Sequence, residues 1–145
     1  MPTVNDVLRI KGQRVFSITP AATVLDAVKE MNSNRIGALL VMDKGVLVGI
    51  FTERDILTRV VATERNSVDL KVAEVMTSDV YCCGLQADLD NISEIMRSKR
   101  IRHIPVLDAD SKVVSIISIG DVNAFNISQK QATIENLSDY ICGRS

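Results

Sequence analysis

Twice in this chain a hydroxyl residue stands three positions before an aspartate: Thr52 before Asp55 in GIFTERDIL, and Ser118 before Asp121 in SIISIGDVN. Where the hydroxyl ends a strand and the aspartate opens a helix, both side chains can face one space at the junction. The first turn of a helix leaves free backbone N–H groups and a positive dipole end, which favour anions such as phosphate. A carboxylate there suits a different group, because it can accept hydrogen bonds from the paired hydroxyls of a ribose. The neighbouring hydroxyl can donate to a phosphate or ribose oxygen. The same pair is also an ordinary way for aspartate to cap a helix. Recurrence at matching places favours the ligand reading, although duplication alone also produces it.

A second cue is IRHIPV. Arg102 and His103 are adjacent, so in a strand they point to opposite faces. At the strand's start either can reach a phosphate, the arginine in bidentate fashion. The matching residues of the first copy, Gly37 and Ala38, are small and neutral, so the two halves are chemically unequal. No base stands in recognisable spacing to a serine or cysteine, and no catalytic carboxylate pair is evident. A catalytic set is therefore not expected. A single histidine and the absence of CxxC leave little material for a zinc site, and no metal is expected. Cys82, Cys83 and Cys142 read as structural or incidental.

The elements that position these residues form an internal repeat. Met31, Arg35, Ile36, Val41 and Asp43 match Met96, Arg100, Ile101, Val106 and Asp108 at an offset of 65, and the hydroxyl–aspartate pairs match at 66 after one inserted turn residue. Each copy reads as helix, strand, strand, helix. In the first, Thr23 caps a helix whose Val24, Ala27, Val28 and Met31 share one face. GALLVM and VLVGIFT are strands around the turn Asp43-Lys44-Gly45, and a helix follows to Ala62 with Ile56, Leu57 and Val60 as its apolar side. In the second, Asp88 caps a helix with Leu89, Ile92 and Met96 inward. RHIPVLD and KVVSIIS are its strands, with Pro105 suited to a strand edge.

VAEVM at Val72–Met76 echoes VNDVL at Val4–Leu8, so the repeated unit includes a short lead-in helix. The expected units are residues 1–66, 67–126 and 127–145. The last is an amphipathic helix, with Ile127, Ile134 and Ile141 seven apart and Leu137 beside them. The fold class is α/β, two small sheets each covered by helices. One copy alone would bury a marginal core, so the two should pack about a pseudo-twofold axis.

Composition narrows the function classes. The chain has 145 residues, 46% hydrophobic and 24% charged, with a net charge of −1. Interspersed charges and no basic tail argue against nucleic acid. Two tyrosines, three phenylalanines and no tryptophan provide no base-stacking platform. Apolar runs such as Ile36 to Met42 are too short for a bilayer, and MPTVNDVLRIKG has no signal-peptide core. Together with the cysteine usage, these features place the protein in the cytoplasm. The chain has no room for an enzyme barrel of about 250 residues.

RIGALLV, VGIFTERDIL, RIRHIPV and SIGDV, in this order and spacing, resemble the cystathionine β-synthase (CBS) domain, and the chain resembles a stand-alone tandem CBS pair of bacterial type from Val4 to Phe125. The tail IENLSDYICG is similar to the C-terminal helix often attached to such pairs. The resemblance implies a non-catalytic, energy-sensing regulatory module that needs no cofactor. Its regulatory ligand would be an adenosine nucleotide, AMP first, then ATP, ADP, NAD(H) or S-adenosylmethionine. It implies two clefts, each taking its hydroxyl and aspartate from one repeat and its adenine-facing backbone from the other. One would use Ser118 and Asp121, lined by Thr19, Ile36, Gly37 and Ala38, with Lys11 reaching the phosphate. The other would use Thr52, Arg54 and Asp55 with Tyr81, Arg102 and His103.

The chain departs from the family pattern in two places: YCCGLQ stands where the first copy has SITP, and Ser115 where it has Gly49. The Ser118 and Asp121 cleft is therefore the favoured site. The implied partners are a second copy of the chain and an unidentified regulated protein. The alternative is a dimerisation or interaction protein without a ligand.

Overall fold

Each copy of the repeat builds a three-stranded sheet with helices on one face. A computed structural model describes residues 1–133, with side chains described through residue 130. The first run comprises α1 (Val4–Lys11), β1 (Ser17–Ile18), α2 (Val24–Asn34), β2 (Ala38–Asp43), β3 (Val46–Thr52) and the helical turn α3 (Glu53–Asp55). This turn continues as a π-helical segment over Ile56–Val61. The second run comprises α4 (Val72–Val75), β4 (Cys83–Gly84), α5 (Leu89–Lys99), β5 (His103–Leu107), β6 (Val113–Ser118) and α6 (Ile119–Thr133). In each sheet the middle strand takes a short parallel neighbour and a longer antiparallel one.

Local chemistry explains why the copies fold alike. The Thr23 hydroxyl accepts the Asp26 N–H at 3.1 Å, and the Asp88 carboxylate accepts the Asp90 N–H at 2.9 Å, so both long helices start on a capping side chain. They end on Arg35 and Arg100, each left-handed at φ 54. The hairpins even share a register slip, at Val41/Met42 and at Val106/Leu107.

Three apolar clusters result. Val24, Ala27 and Met31 of α2 meet Leu39, Val41 and Phe51 beneath the first sheet. Leu89, Ile92 and Met96 of α5 meet Ile104, Val106 and Ile117 beneath the second. A third cluster, Ala38, Leu40 and Ile50 with Val113 and Ile116 packed against it, joins the two sheets through their other faces. Ile50 and its counterpart Ile116 both lie in this layer, as a pseudo-twofold arrangement requires. Fully burying a large side chain such as Leu40 stabilises by about 1.5–3 kcal/mol.

The structure differs from the sequence expectations in four places. The lead-in helix was grouped with residues 1–66, but Val4, Val7 and Leu8 are buried in the core of the second sheet. Val72 and Val75 of α4 are reciprocally buried in the core of the first. Backbone hydrogen bonds hold the exchange, from Val4 N–H to Ala87 C=O at 3.0 Å and from Val72 N–H to Ala22 C=O at 2.9 Å.

Leu57 was expected inward with Ile56 and Val60. The Ala62 N–H instead bonds the carbonyl of Leu57 at 2.9 Å, a π-helical step that takes one more residue per turn. Val60 is turned inward, and Leu57 and Val61 are left 63% and 61% exposed.

Pro105 sits in a central strand rather than at an edge. In the first sheet the equivalent Leu40 donates its N–H to Phe16 C=O at 3.1 Å. Proline has no such donor, and β4 pairs with β5 only from Val106 onward. Finally, the tail helix does not start afresh at residue 127: α6 runs unbroken from Ile119 to Thr133. Ile134, Leu137, Ile141 and Cys142 lie outside the described residues.

Candidate functional site

Both hydroxyl–aspartate pairs are built the same way. Ser118 ends β6 and Asp121 lies in the first turn of α6. The Ser118 N–H donates to Asp121 Oδ2 at 2.8 Å, and the Asp121 N–H donates to Ser118 Oγ at 3.1 Å. In the first unit the Thr52 N–H donates to Asp55 Oδ2 at 3.0 Å and the Asp55 N–H to Thr52 Oγ1 at 3.3 Å. The reciprocal cap therefore holds at both sites. The surroundings of the two carboxylates differ.

Asp55 is 5% exposed and its oxygens are engaged. The Thr77 hydroxyl donates to Oδ1 at 3.1 Å, and Arg59 Nε lies 3.8 Å from the same oxygen. Thr77 is itself pinned to Ile50 by backbone hydrogen bonds in both directions, each 2.9 Å. Arg59 in turn donates to the carbonyls of Val75 and Met76 at 3.2 and 2.9 Å. The first carboxylate thus ties the connecting segment to the sheet. Gly49 permits this approach, because a Cβ there would lie 2.6 Å from Met76 Sδ and 2.9 Å from Thr77 O.

The Asp121 side chain is 23% exposed, and its outside partner is a movable side chain. Lys11, at the end of α1, places Nζ 2.6 Å from Asp121 Oδ2 and also donates to the carbonyl of Ile116. Burial alone would raise the carboxyl pKa; hydrogen bonds from Lys11 and Ser118 and the ammonium charge outweigh it and hold the group below the usual range. The pair borders an apolar cavity of about 280 Å³ between α1 and α6, walled by Val7, Ile10 and Phe125.

The remaining residues divide unevenly. Arg54 Nη1 donates to the carbonyl of Arg100 at 2.9 Å, so this side chain spans the two units beside Asp55. Its counterpart is Gly120, where a Cβ would meet only Ser118 Oγ at 3.6 Å. One junction is thus bridged, while its counterpart has no side chain to bridge it. The space at Gly37 is not open for a flat base in this state. A Cβ there would lie 2.8 Å from Glu53 Oε1 and 3.4 Å from His103 Cε1. Ala38 is buried in the layer between the sheets. Ile36 and Gly37 border a separate cavity of about 320 Å³ beside α2, with Arg35 and Glu53 at its edge. Thr19 is exposed just after β1.

His103 was read with the Thr52 cleft, yet it stands against Gly37, and the charges of Asp121 and Lys11 reach it as well as that of Glu53. Burial pushes its pKa down, Glu53 and Asp121 oppose this, and Lys11 and Arg102 add to it. The imidazole is therefore neutral near pH 7. Arg102 is exposed and its carbonyl accepts the Ile119 N–H at 2.8 Å. Tyr81 is partly exposed, with the Lys99 ammonium 5.7 Å from its ring centre. Cys82 and Cys83 are unpaired thiols, and burial with the neighbouring Cys82 pushes Cys83 to about 11. Among the described residues no cluster of His, Cys, Asp or Glu is arranged to hold a metal ion.

Glu53, Thr77 and Arg59 were not singled out from the sequence. Glu53 and Arg59 read as ordinary charges of a helix, and Thr77 lies in a connecting segment.

Comparison with known proteins follows the same pattern. The family model of the CBS domain matches residues 4–62 and 72–125. The CBS domain-containing protein YhcV of Bacillus subtilis is 30% identical over 132 residues, covering 91% of each chain. A putative signal-transduction protein with CBS domains from Burkholderia ambifaria superposes with a TM-score of 0.86 at 38% identity, over 92% of this chain and 100% of the other. The CBS domain pair of protein MJ0100, solved with 5′-methylthioadenosine and S-adenosyl-L-methionine, superposes with a TM-score of 0.76 at 25% identity, over 86% and 99% of the two chains.

Proposed function

This chain belongs to the CBS-domain family, and from that premise we propose that it is a non-catalytic regulatory module binding one adenosine nucleotide, AMP before ATP, NAD(H) or S-adenosylmethionine. The observation that carries the reading is the contrast between the two aspartates. Asp121 is partly exposed and capped from outside by a flexible lysine, whereas Asp55 is buried and fully engaged. A ribose can replace a lysine ammonium; it cannot readily replace a threonine held by two backbone bonds. The adenosine ligands bound by the MJ0100 pair support the ligand class.

In this reading Ser118 and Asp121 take the ribose, Lys11 the phosphate, and Thr19, Ile36, Gly37 and Ala38 the base. For the base to reach the backbone, Glu53 and His103 must draw back from Gly37. That movement would shift the two units relative to each other, and a regulated protein in the cytoplasm would read the shift. Such coupling requires the nucleotide to bind the two arrangements with different affinity. The Thr52, Arg54, Asp55, Tyr81 and Arg102 set stays closed. Titration calorimetry should therefore give one AMP per chain. Two sites per chain would overturn the single-site reading. No heat with AMP, ATP, NADH or S-adenosylmethionine below millimolar concentration would overturn the ligand class.

The alternative, an interaction protein without a ligand, is favoured only by the spent groups around Asp55. The partner proposed for the exposed Leu57 and Val61 is a second copy of the chain, since a twofold dimer would bring the same apolar side chains of both copies together. Light scattering is expected to give the mass of two chains; the mass of one chain would contradict the dimer.

A further inference from the structure

We propose that Glu53 determines base specificity at the Asp121 site by accepting a hydrogen bond from the amino group of adenine, with His103 donating to a ring nitrogen beside it; the inference rests on the nucleotide reading above. The two side chains reach the Gly37 backbone from opposite units. A Cβ at Gly37 would lie 2.8 Å from Glu53 Oε1 and 3.4 Å from His103 Cε1, so both border the space that a base facing Gly37 must enter. The Glu53 N–H donates to the Gly37 carbonyl at 3.0 Å, which fixes the backbone from which the carboxylate reaches. The side chain itself is exposed, and none of the ion pairs among the described residues uses it. It also lines the cavity of about 320 Å³ beside α2, which gives it room to step aside for a base.

The hydrogen-bonding character of the pair fits one base. An ionised carboxylate only accepts, and a neutral imidazole presents one N–H donor. Adenine is the complement: its amino group donates, and the ring nitrogens on both sides of it accept. The pattern is therefore met whichever edge of adenine faces the pair. A 6-oxo purine held in the same pose puts a carbonyl oxygen where the amino group stood, and that oxygen has no proton to give. The exposed carboxylate is free to turn to water when such a base is bound. The 6-oxo base is thus not repelled; it lacks the charge-assisted bond that adenine gains. The second unit shows the contrast. Ile119 holds the place of Glu53 there, its N–H donating to the Arg102 carbonyl at 2.8 Å, and its side chain packs against the apolar core. An apolar side chain reads no base.

The test is calorimetry on the full chain with AMP and inosine monophosphate, which differ only in the base. Because both carry the same ribose and phosphate, general charge effects of a substitution cancel in the ratio of their affinities. The unmodified protein should bind AMP about tenfold or more tightly than inosine monophosphate. In Glu53→Ala the gap should fall below about threefold, because no acceptor remains for the amino group. In Glu53→Gln it should fall likewise, because the side-chain amide can accept from an amino group or donate to a carbonyl oxygen. Equal affinities in the unmodified protein, or a gap that survives in either variant, would overturn the role of Glu53 while leaving the nucleotide reading in place. Binding of neither ligand to the unmodified protein would instead remove that reading, and this one with it.

Discussion

Phe51→Ala is expected to lower the free energy of unfolding by about 3–5 kcal/mol, read as a shift of the urea midpoint at an unchanged slope. Phe51 is fully buried on β3. It pairs with Leu39 of β2 and shares a cluster with Val24, Ala27 and Val75. Those neighbours come from a strand, a long helix and the exchanged connecting helix, so none can move in without disturbing another element. The cavity therefore stays largely open, and its cost adds to the lost transfer energy. Against a typical total of about 5–15 kcal/mol the loss is large. Ile117 holds the same place in the second unit, and Ile117→Val, which removes one methyl, should cost about 0.5–1.5 kcal/mol. A Phe51→Ala change below about 1 kcal/mol would mean that the site collapses, contrary to its three-sided packing.

Asp121→Ala is expected to weaken AMP binding by about tenfold to a hundredfold, the equivalent of about 1–3 kcal/mol for a lost hydrogen-bond partner. The variant removes the acceptor for the ribose but leaves Lys11 for the phosphate, so binding should weaken rather than vanish. Asp55→Ala provides the internal control. It strips the acceptor from the Thr52 N–H and the Thr77 hydroxyl, so it should destabilise the fold by about 1–3 kcal/mol and change AMP affinity by less than about threefold. Should the two aspartates exchange these phenotypes, the assignment of the ligand to the second repeat is wrong. If neither changes affinity, the ligand does not use these carboxylates.

Much of the architecture was legible in the sequence because local rules act at both copies. The capping residues Thr23 and Asp88 start the two long helices, and the apolar stripes that follow them face the cores. The hydroxyl–aspartate spacing also announced itself correctly as a strand-to-helix junction, since a reciprocal cap needs only residues three apart. Leu57 failed because a π-helical segment has no distinct periodic signature in six residues, and its wider turn rotates the faces. Pro105 is tolerated in a central strand because its missing donor is harmless where the neighbouring strand has not yet begun, a fact set by the partner strand. The exchange of α1 and α4 between cores was equally invisible, because VNDVL and VAEVM each fit either unit.

The sequence by itself determined the repeat, the α/β elements and the two junctions at Thr52–Asp55 and Ser118–Asp121. These depend on propensity, periodicity and contacts a few residues apart. Only the tertiary structure decided which donors engage each carboxylate. That choice depends on Lys11, 110 positions from Asp121, on Thr77, 22 positions from Asp55, and on Arg54 reaching the carbonyl of Arg100. The physical reason is that a carboxylate's availability is set by which donors are folded against it, and those donors come from parts of the chain that no local pattern connects.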